Sequence, residues 1–577
     1  MTNGNESKHA YNLFFGSISP YHLRPLMYES SADYPLNLHD YQIELVQKAL
    51  EGENTLICAP TGSGKTVVAA YIIREHIFEL RKNLKIPKII FVVPTVPLVE
   101  QQTNEFKRFL GHCATTIGLH GRSENLDFNS VISSVDIIVL TPQILVNATD
   151  PRFCKYEDIN RISLDVFTLI ILDEVHHTNK KHSYNGLMKE YHRCKYGDSN
   201  FPSRSMPQVV GLTASLGSPK RTENVEEVIK YIINKCANFD AISYTIVTKN
   251  TAELYSKIGK TKEYAIVVKN NDELVNAYYT YLESLIKSIE KYLMEIDGVL
   301  RNPEIFEGYC DMKKDEYKTW LSVTRSTTLR KAKLSPSSKM KATDCLNYLD
   351  LIYEAYQCAQ LFPTEDTTKF YLKNLGSEDG TDLDQFVYRK KLQLGKDPCS
   401  ESDIFKELIK CVNNQFIKNV NSKVIIFTSQ RYYCKLGSEV IERYTGKTAA
   451  FISGANASSE EAGCNPSQQS QIVKKFRNGE IQILFATTVA EEGINIADCN
   501  LVITYNLVTN NIAHIQRKGR ARQILSESIL ITFEEKKKIL EEKNIENIKM
   551  INKAYEILEK IPSTRKLSME CEISILD

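Results

Sequence analysis

The chain has 577 residues, of which 42% are apolar and 25% charged, with a formal net charge of +1. That length implies about three to five domains of soluble globular type. The balanced charge excludes a chain that is basic throughout, so any nucleic-acid surface must be a local stripe. No stretch approaches the roughly 18–20 consecutive apolar residues of a membrane span. The start, Met1-Thr-Asn-Gly-Asn-Glu, lacks a basic region followed by an apolar one, so it reads as no secretory signal. Fourteen cysteines are scattered without a Cys-x-x-Cys pair. They read as buried reduced thiols of a cytoplasmic protein, not as a disulfide framework or a zinc site.

After an N-terminal extension over 1–35, residues 36–240 alternate short apolar runs with helix-period segments. Strands are expected at 55–58, 89–93, 137–140, 169–172 and 209–212, the pattern of a parallel α/β sheet. Leu38-His-Asp-Tyr41-Gln42 precedes the first strand, and a Gln there can read N6 and N7 of adenine. The first strand runs into Ala59-Pro-Thr-Gly-Ser-Gly-Lys65-Thr66 and a helix-like stretch over 67–80. Strand, Gly-rich loop and helix N-terminus together form a phosphate cradle. Gly62, Ser63 and Gly64 bring backbone N–H groups to the phosphates, Lys65 reaches the β/γ-phosphates of ATP, and the Thr66 hydroxyl can hold Mg²⁺. Ala59 stands where a first Gly is common, and alone the segment is also an ordinary strand-to-helix turn.

The run over 166–172 is continuously apolar, hence a strand buried on both faces, and it ends in Asp173-Glu174-Val175-His176. Such a carboxylate pair at the end of a parallel strand suits Asp173 to the metal and Glu174 to the proton of an attacking water. Pro94-Thr95 through Gln101, Thr141-Pro142-Gln143 and Thr213-Ala214-Ser215 each follow a strand. Hydroxyl-bearing turns there suit contact with a nucleic-acid backbone.

From 241 to 395 the pattern changes to a linker and a helical insert, with Leu274, Tyr278, Leu282, Leu285, Ile289 and Leu293 on one stripe. A second α/β domain over 396–535 has expected strands at 424–427, 481–485, 501–505 and 528–533. In it, Gln430-Arg431 and Thr487-Thr488 follow strands, and Gln516-Arg-Lys-Gly-Arg520-Ala-Arg522 closes the set. Arg520 and Arg522 suit arginine fingers for ATP held by the first domain, with Gln516 beside them; a solvated basic loop is the plain alternative. Residues 536–577 are charged and helical, with Ile545, Ile548, Ile551, Tyr555 and Leu558 on one face.

Four segments carry a resemblance: Asp173 to Lys180 with Tyr184-Asn185, Thr487 to Gly493, Leu507-Val-Thr-Asn510, and Gln516 to Arg522. Over about 36–562 the chain resembles a superfamily-2 helicase with two RecA-like lobes, and is similar to the RIG-I-like receptors of double-stranded RNA. The resemblance implies an all-α insert in the second lobe, with Tyr317-Lys-Thr-Trp320, and a bridging (pincer) helix at the end. It also implies an RNA-stimulated ATPase with ATP and Mg²⁺, double-stranded RNA as partner, signalling or nuclease partner proteins, and a cytoplasmic antiviral role. Backbone contacts to RNA would fall to Pro94, Thr95, Gln101, Thr141, Gln143, Gln430, Arg431 and Thr488. Three departures stand out. Val175 replaces the Cys of the family's Asp-Glu-Cys-His box, Asn495 replaces an Asp, and neither caspase-recruitment domains nor a zinc-bearing C-terminal domain is expected within 577 residues. The helicase module of a Dicer-type nuclease, a non-hydrolysing RNA-binding regulator and a DNA-branch translocase remain open alternatives.

Overall fold

The computed structural model describes residues 36–560 except 121–127, 150–161, 178–181, 197–204, 220–221, 223, 260, 270–272, 313–315, 374, 394–399, 455–465, 488–495, 497, 522 and 524–525. Seven strands form a first sheet: β1 (Thr55–Cys58), β2 (Ile89–Val92), β3 (Thr116–Leu119), β4 (Ile137–Leu140), β5 (Leu169–Leu172), β6 (Gln208–Thr213) and β7 (Ser243–Thr245). Their order is β3-β4-β2-β5-β6-β1-β7, and every pairing is parallel. Six more form a second parallel sheet: β8 (Lys262–Val267), β9 (Val424–Phe427), β10 (Ala449–Ile452), β11 (Ile483–Ala486), β12 (Leu501–Tyr505) and β13 (Glu527–Thr532). Its order is β10-β11-β9-β12-β13-β8.

The central strands read as unbroken apolar runs because both faces are covered. In β2, Ile90 and Val92 enter one core and Ile89 and Phe91 the other. In β9, Val424 and Ile426 face one core and Ile425 and Phe427 the opposite one. Period-two burial on both faces removes the polar alternation that a one-sided strand would show.

Within 241–395 the linker carries two strands and the helix Thr251–Ile258, and the continuous helical insert begins at Glu273. Residues 243–245 pair with β1 at the edge of the first sheet, and 262–267 pair with β13 at the edge of the second. From Glu273 to Gln393 the described elements are helical. The block does not hang free. Its stripe of Tyr278, Leu282, Leu285 and Ile289 shares one core with Val424, Ile426, Phe485 and Tyr505 of the second sheet. Phe362 is the joint, with its ring against those of Phe405, Tyr433, Phe485 and Tyr505.

The last helix, Glu535–Glu559, bridges the two lobes. Its first half lies against the second lobe, where Lys537 Nζ donates to Asn506 O at 2.9 Å. Its second half buries Ile551, Ala554, Tyr555 and Leu558 in the first lobe beside Val228 and Ile232. Among the described residues no helix is long and apolar enough to cross a membrane, and no group of three or more His, Cys, Asp or Glu could hold a metal ion. The ten described cysteines are all free.

Candidate nucleotide site and nucleic-acid interface

β1 delivers the chain into the loop over 59–64, and the helix Lys65–Lys82 leaves it with Gly64 as N-cap. Gly62 (φ 90°) and Gly64 (φ 82°) sit in the left-handed region, which a side chain would strain. A Cβ at Gly64 would also lie 2.5 Å from Gln42 Nε2. Tyr41 Oη and Gln42 Nε2 both donate to the Ser63 carbonyl, at 3.0 and 2.9 Å, and pin the loop. Gln42 Oε1 in turn accepts from His39 N. Gln42 is therefore a loop-holding residue here, with its amide on protein. Lys65 Nζ donates to Ala59 O at 3.1 Å. Thr61 Oγ1 and Ser63 Oγ are buried without a hydrogen-bond partner. Hydroxyls buried in that state are costly in protein alone and fit a loop shaped around a polar ligand such as a phosphate.

The second wall is the turn after β5. Asp173 N donates to Val92 O at 2.8 Å, which holds the turn to β2. Tyr184 Oη donates to the Asp173 carbonyl at 2.6 Å. Glu174 has φ 51°, a conformation seldom adopted by residues other than glycine and characteristic of strained functional turns. Burial and the adjacent Glu174 carboxylate push Asp173 up from the usual carboxylate range, with Lys65 drawing it partly back. A buried carboxylate so short of positive charge suits a divalent cation. The Thr66 hydroxyl, which receives Gln102 Nε2 at 3.3 Å, would be the companion ligand. Asp173 and Thr66 would hold Mg²⁺, whose chemistry there is to neutralise phosphate charge.

His176 joins this turn to the second lobe. Thr213 Oγ1 gives its own hydrogen to Ser215 O at 2.7 Å, so it accepts from His176 Nδ1 at 3.0 Å. The Glu174 carboxylate lies 3.3 Å from the same nitrogen. That leaves His176 Nε2 to accept from Gln516 Nε2 at 3.3 Å. Gln516 belongs to the helix Asn511–Lys518, started by Asn510 Oδ1 accepting Ala513 N. Asn511 Nδ2 donates to Ser218 Oγ at 2.9 Å. Gly519 lies so near the phosphate loop that a Cβ on it would be 2.7 Å from Thr61 Cβ. One edge of the second lobe thus touches the phosphate loop, the Asp-Glu turn and the turn after β6. Arg520, buried to 7% exposure, follows directly. Arg522 lies outside the described residues.

Six of the eight expected RNA-contacting residues lie at C-terminal strand ends of the two sheets. Pro94 and Thr95 follow β2, Thr141 and Gln143 follow its neighbour β4, and Gln430 and Arg431 follow β9. Thr95 caps its helix without a side-chain bond, and its Oγ1 is buried and unpartnered. Gln430 is exposed and Arg431 half-buried. Gln143 is already engaged, donating to Asn147 Oδ1 at 2.7 Å and accepting from Ser183 Oγ at 2.9 Å. Gln101 is half-buried on its helix, one residue from Gln102. Thr488, Glu491 and Asn495 lie outside the described residues.

The DEAD/DEAH box helicase family model matches residues 39–225, and that of the helicase conserved C-terminal domain matches 403–524. The chain is 29% identical to the antiviral innate immune response receptor RIG-I of Homo sapiens over 519 residues, 86% of this chain and 54% of that protein. It is 27% identical to the ATP-dependent RNA helicase DHX58 of Mus musculus over 509 residues, 84% of this chain and 70% of that one. Two helicase domain models in one chain, and this likeness along most of its length, make the chain similar to the RIG-I-like helicases of superfamily 2. Dicer-like protein 1 of Aspergillus terreus is 27% identical over 553 residues, 88% of this chain and 32% of that protein. The chain spans about half the length of the RIG-I receptors it matches.

Several residues at this site carried no signal that singled them out in the sequence. Gln102 was legible in principle, since Leu98, Val99, Gln102, Thr103 and Phe106 form the buried stripe of their helix. Lys235 carried no local signal. It donates to the carbonyls of Val175 and His176 at 3.4 and 3.2 Å, and burial lowers its pKa to about 8. Tyr555 looked like one more apolar residue of the bridging helix. Its hydroxyl accepts from Leu216 N at 3.3 Å and lies 3.4 Å from Cys58 Sγ, at the foot of the phosphate loop.

Proposed function

We propose that the chain is an RNA-stimulated ATPase that grips and moves along double-stranded RNA, in cytoplasmic antiviral RNA sensing or its regulation. The observation that carries this reading is the Gln516–Gly519 edge seated on the phosphate loop and the Asp-Glu turn. Lys65 binds the β/γ-phosphates of ATP. Thr66 and Asp173 hold the metal, and Glu174 takes the proton of the attacking water. Arg520, with Arg522, balances the charge that develops on the transferred phosphoryl group. The turns after β2, β4 and β9 contact the phosphate backbone and 2′-hydroxyls of A-form duplex with little sequence readout.

The test is phosphate release with duplex RNA, duplex DNA or no nucleic acid. Stimulation by duplex RNA is expected. It should be lost in Lys65→Ala and Glu174→Gln, with duplex affinity within a few-fold of wild type. Equal stimulation by both duplexes, or wild-type turnover in Glu174→Gln, would overturn the reading. The Dicer-like relatives favour a second reading, the helicase module of an RNA-cleaving assembly. A duplex-specific ribonuclease co-purifying with the chain from its native source would decide for it.

A further inference from the structure

The helix Asn511–Lys518 and the bridging helix meet through a buried histidine. His514 lies two residues before Gln516 and is 6% exposed. Its Nδ1 is 2.7 Å from Glu541 Oε1 on the bridging helix, and its Nε2 is 2.9 Å from Glu263 Oε2 on β8. Ionised carboxylates can only accept hydrogen bonds. A ring that faces one at each nitrogen must donate from both, and a ring with two N–H groups is an imidazolium. Without the proton, one ring lone pair would face a buried carboxylate, an unpaired arrangement of the kind that interiors reject.

We propose that His514 is a positioning residue: as an imidazolium it clips the Gln516–Arg520 segment to the bridging helix and to β8, and thereby holds that edge against the phosphate loop. The role in turnover rests on the ATPase reading above.

The surrounding charges leave this place to His514. Lys518, on the same helix, pairs with the other oxygen of Glu263. Arg517 lends positive potential to Glu541, and Asn544 Nδ2 donates to Glu541 Oε2 at 3.2 Å and to Thr509 O at 2.9 Å. A cavity of about 320 Å³ opens beside the ring, lined also by Tyr264, Lys538 and Glu542. Tyr264 donates to Glu527, and Lys538 is paired with Glu535 and Glu542. None of these three reaches His514 by a hydrogen bond. The protonated ring therefore ties three elements together: β8, the helix Asn511–Lys518 and the bridging helix.

The titration follows from the geometry. Burial alone would depress His514, but the hydrogen bonds to Glu263 and Glu541 outweigh it and raise its pKa. In return, against its own burial, Glu263 is drawn down to about 2 by His514 and Lys518. A histidine whose folded value is raised keeps its contacts below the ordinary range. It loses them as pH rises through the raised value.

The experiment uses the intact chain labelled with [¹³C]histidine. The resonance absent in His514→Gln is that of His514. Its midpoint is expected above the ordinary value of about 6.5. Glu541→Gln should lower that midpoint, because a neutral amide no longer favours the cation yet can donate to an uncharged ring. With duplex RNA, wild-type kcat should fall by about fivefold or more as pH rises through the measured midpoint, the scale of one lost charge-assisted hydrogen bond. In Glu541→Gln that fall should be absent. A His514 midpoint at or below the ordinary value, or identical kcat profiles for the two proteins, would overturn the proposal. A wild-type chain without ATP turnover at any pH would instead sink the ATPase reading. The resonance and its shift in Glu541→Gln would then still decide whether the clip is charged.

Discussion

Adding one carbon at Gly519 should separate the two halves of the nucleotide site without unfolding either. Gly519 has φ −63° and ψ −2°, which alanine adopts freely. The substitution therefore carries no backbone strain, and by restricting the unfolded chain it should contribute about 0.4–1 kcal/mol of stability. The obstacle lies across the lobe boundary. The new Cβ would be 2.7 Å from Thr61 Cβ and 2.9 Å from Thr61 Oγ1, where carbon–carbon contacts settle at about 3.5–4.0 Å. Relief requires the 519–520 turn and the phosphate loop to part by about 1 Å. A misplacement of that size costs roughly 10²-fold in rate when it falls on groups that must meet a transition state. Steady-state phosphate release with saturating duplex RNA should show kcat reduced by about that factor. Duplex affinity should stay within a few-fold and the thermal midpoint should not fall. Thr61→Gly removes the two closest atoms that the new carbon meets and leaves Ile515 O of its own helix, at 3.1 Å. On that background, Gly519→Ala should cost little further, a coupling that a double-mutant cycle measures directly. Wild-type turnover in Gly519→Ala, or the same loss on both backgrounds, would refute the packing of this turn on the loop.

Tyr555→Phe strips the acceptor from Leu216 N, and a buried unsatisfied donor costs about 1–3 kcal/mol. Exchange of the Leu216 amide should therefore quicken by about 5- to 150-fold, and an unchanged rate would mean the bond is not made. Lys235→Met keeps the stem and removes the ammonium from the Val175 and His176 carbonyls. It should lower kcat by about tenfold at unchanged duplex affinity, the scale of one lost charge-assisted hydrogen bond. Because the folded pKa of Lys235, about 8, lies below the unfolded value, the unfolded chain binds more protons between them. Wild-type stability should thus gain from this group as pH rises from about 8 towards 10, and Lys235→Met should lose that gain in parallel urea titrations. Phe362→Ala empties the joint between helical block and sheet and should cost about 3–5 kcal/mol. Proteolysis should then cut the second lobe first, and unchanged resistance would argue against the shared core.

The interior strands were legible because burial on both faces leaves an apolar run in the chain, as in 169–172 and 424–427. The four strands that escaped reading, β3, β7, β8 and β10, are the four sheet edges. An edge strand has partners on one side and water near the other, so Thr116-Ile-Gly-Leu119 and Lys262-Glu-Tyr-Ala-Ile-Val267 carry mixed residues and no run to detect. The phosphate loop and the Asp-Glu turn were legible for a related reason: each is a local chain geometry fixed by a few consecutive residues. What closes the site is not local. Gln516 on His176, Gly519 against Thr61, Lys235 under the Asp-Glu turn and Tyr555 at the foot of β1 join residues 59 to 497 positions apart. No spacing in the chain encodes such meetings. They follow from which faces the two sheets bury and from a bridging helix that packs its two halves on different lobes.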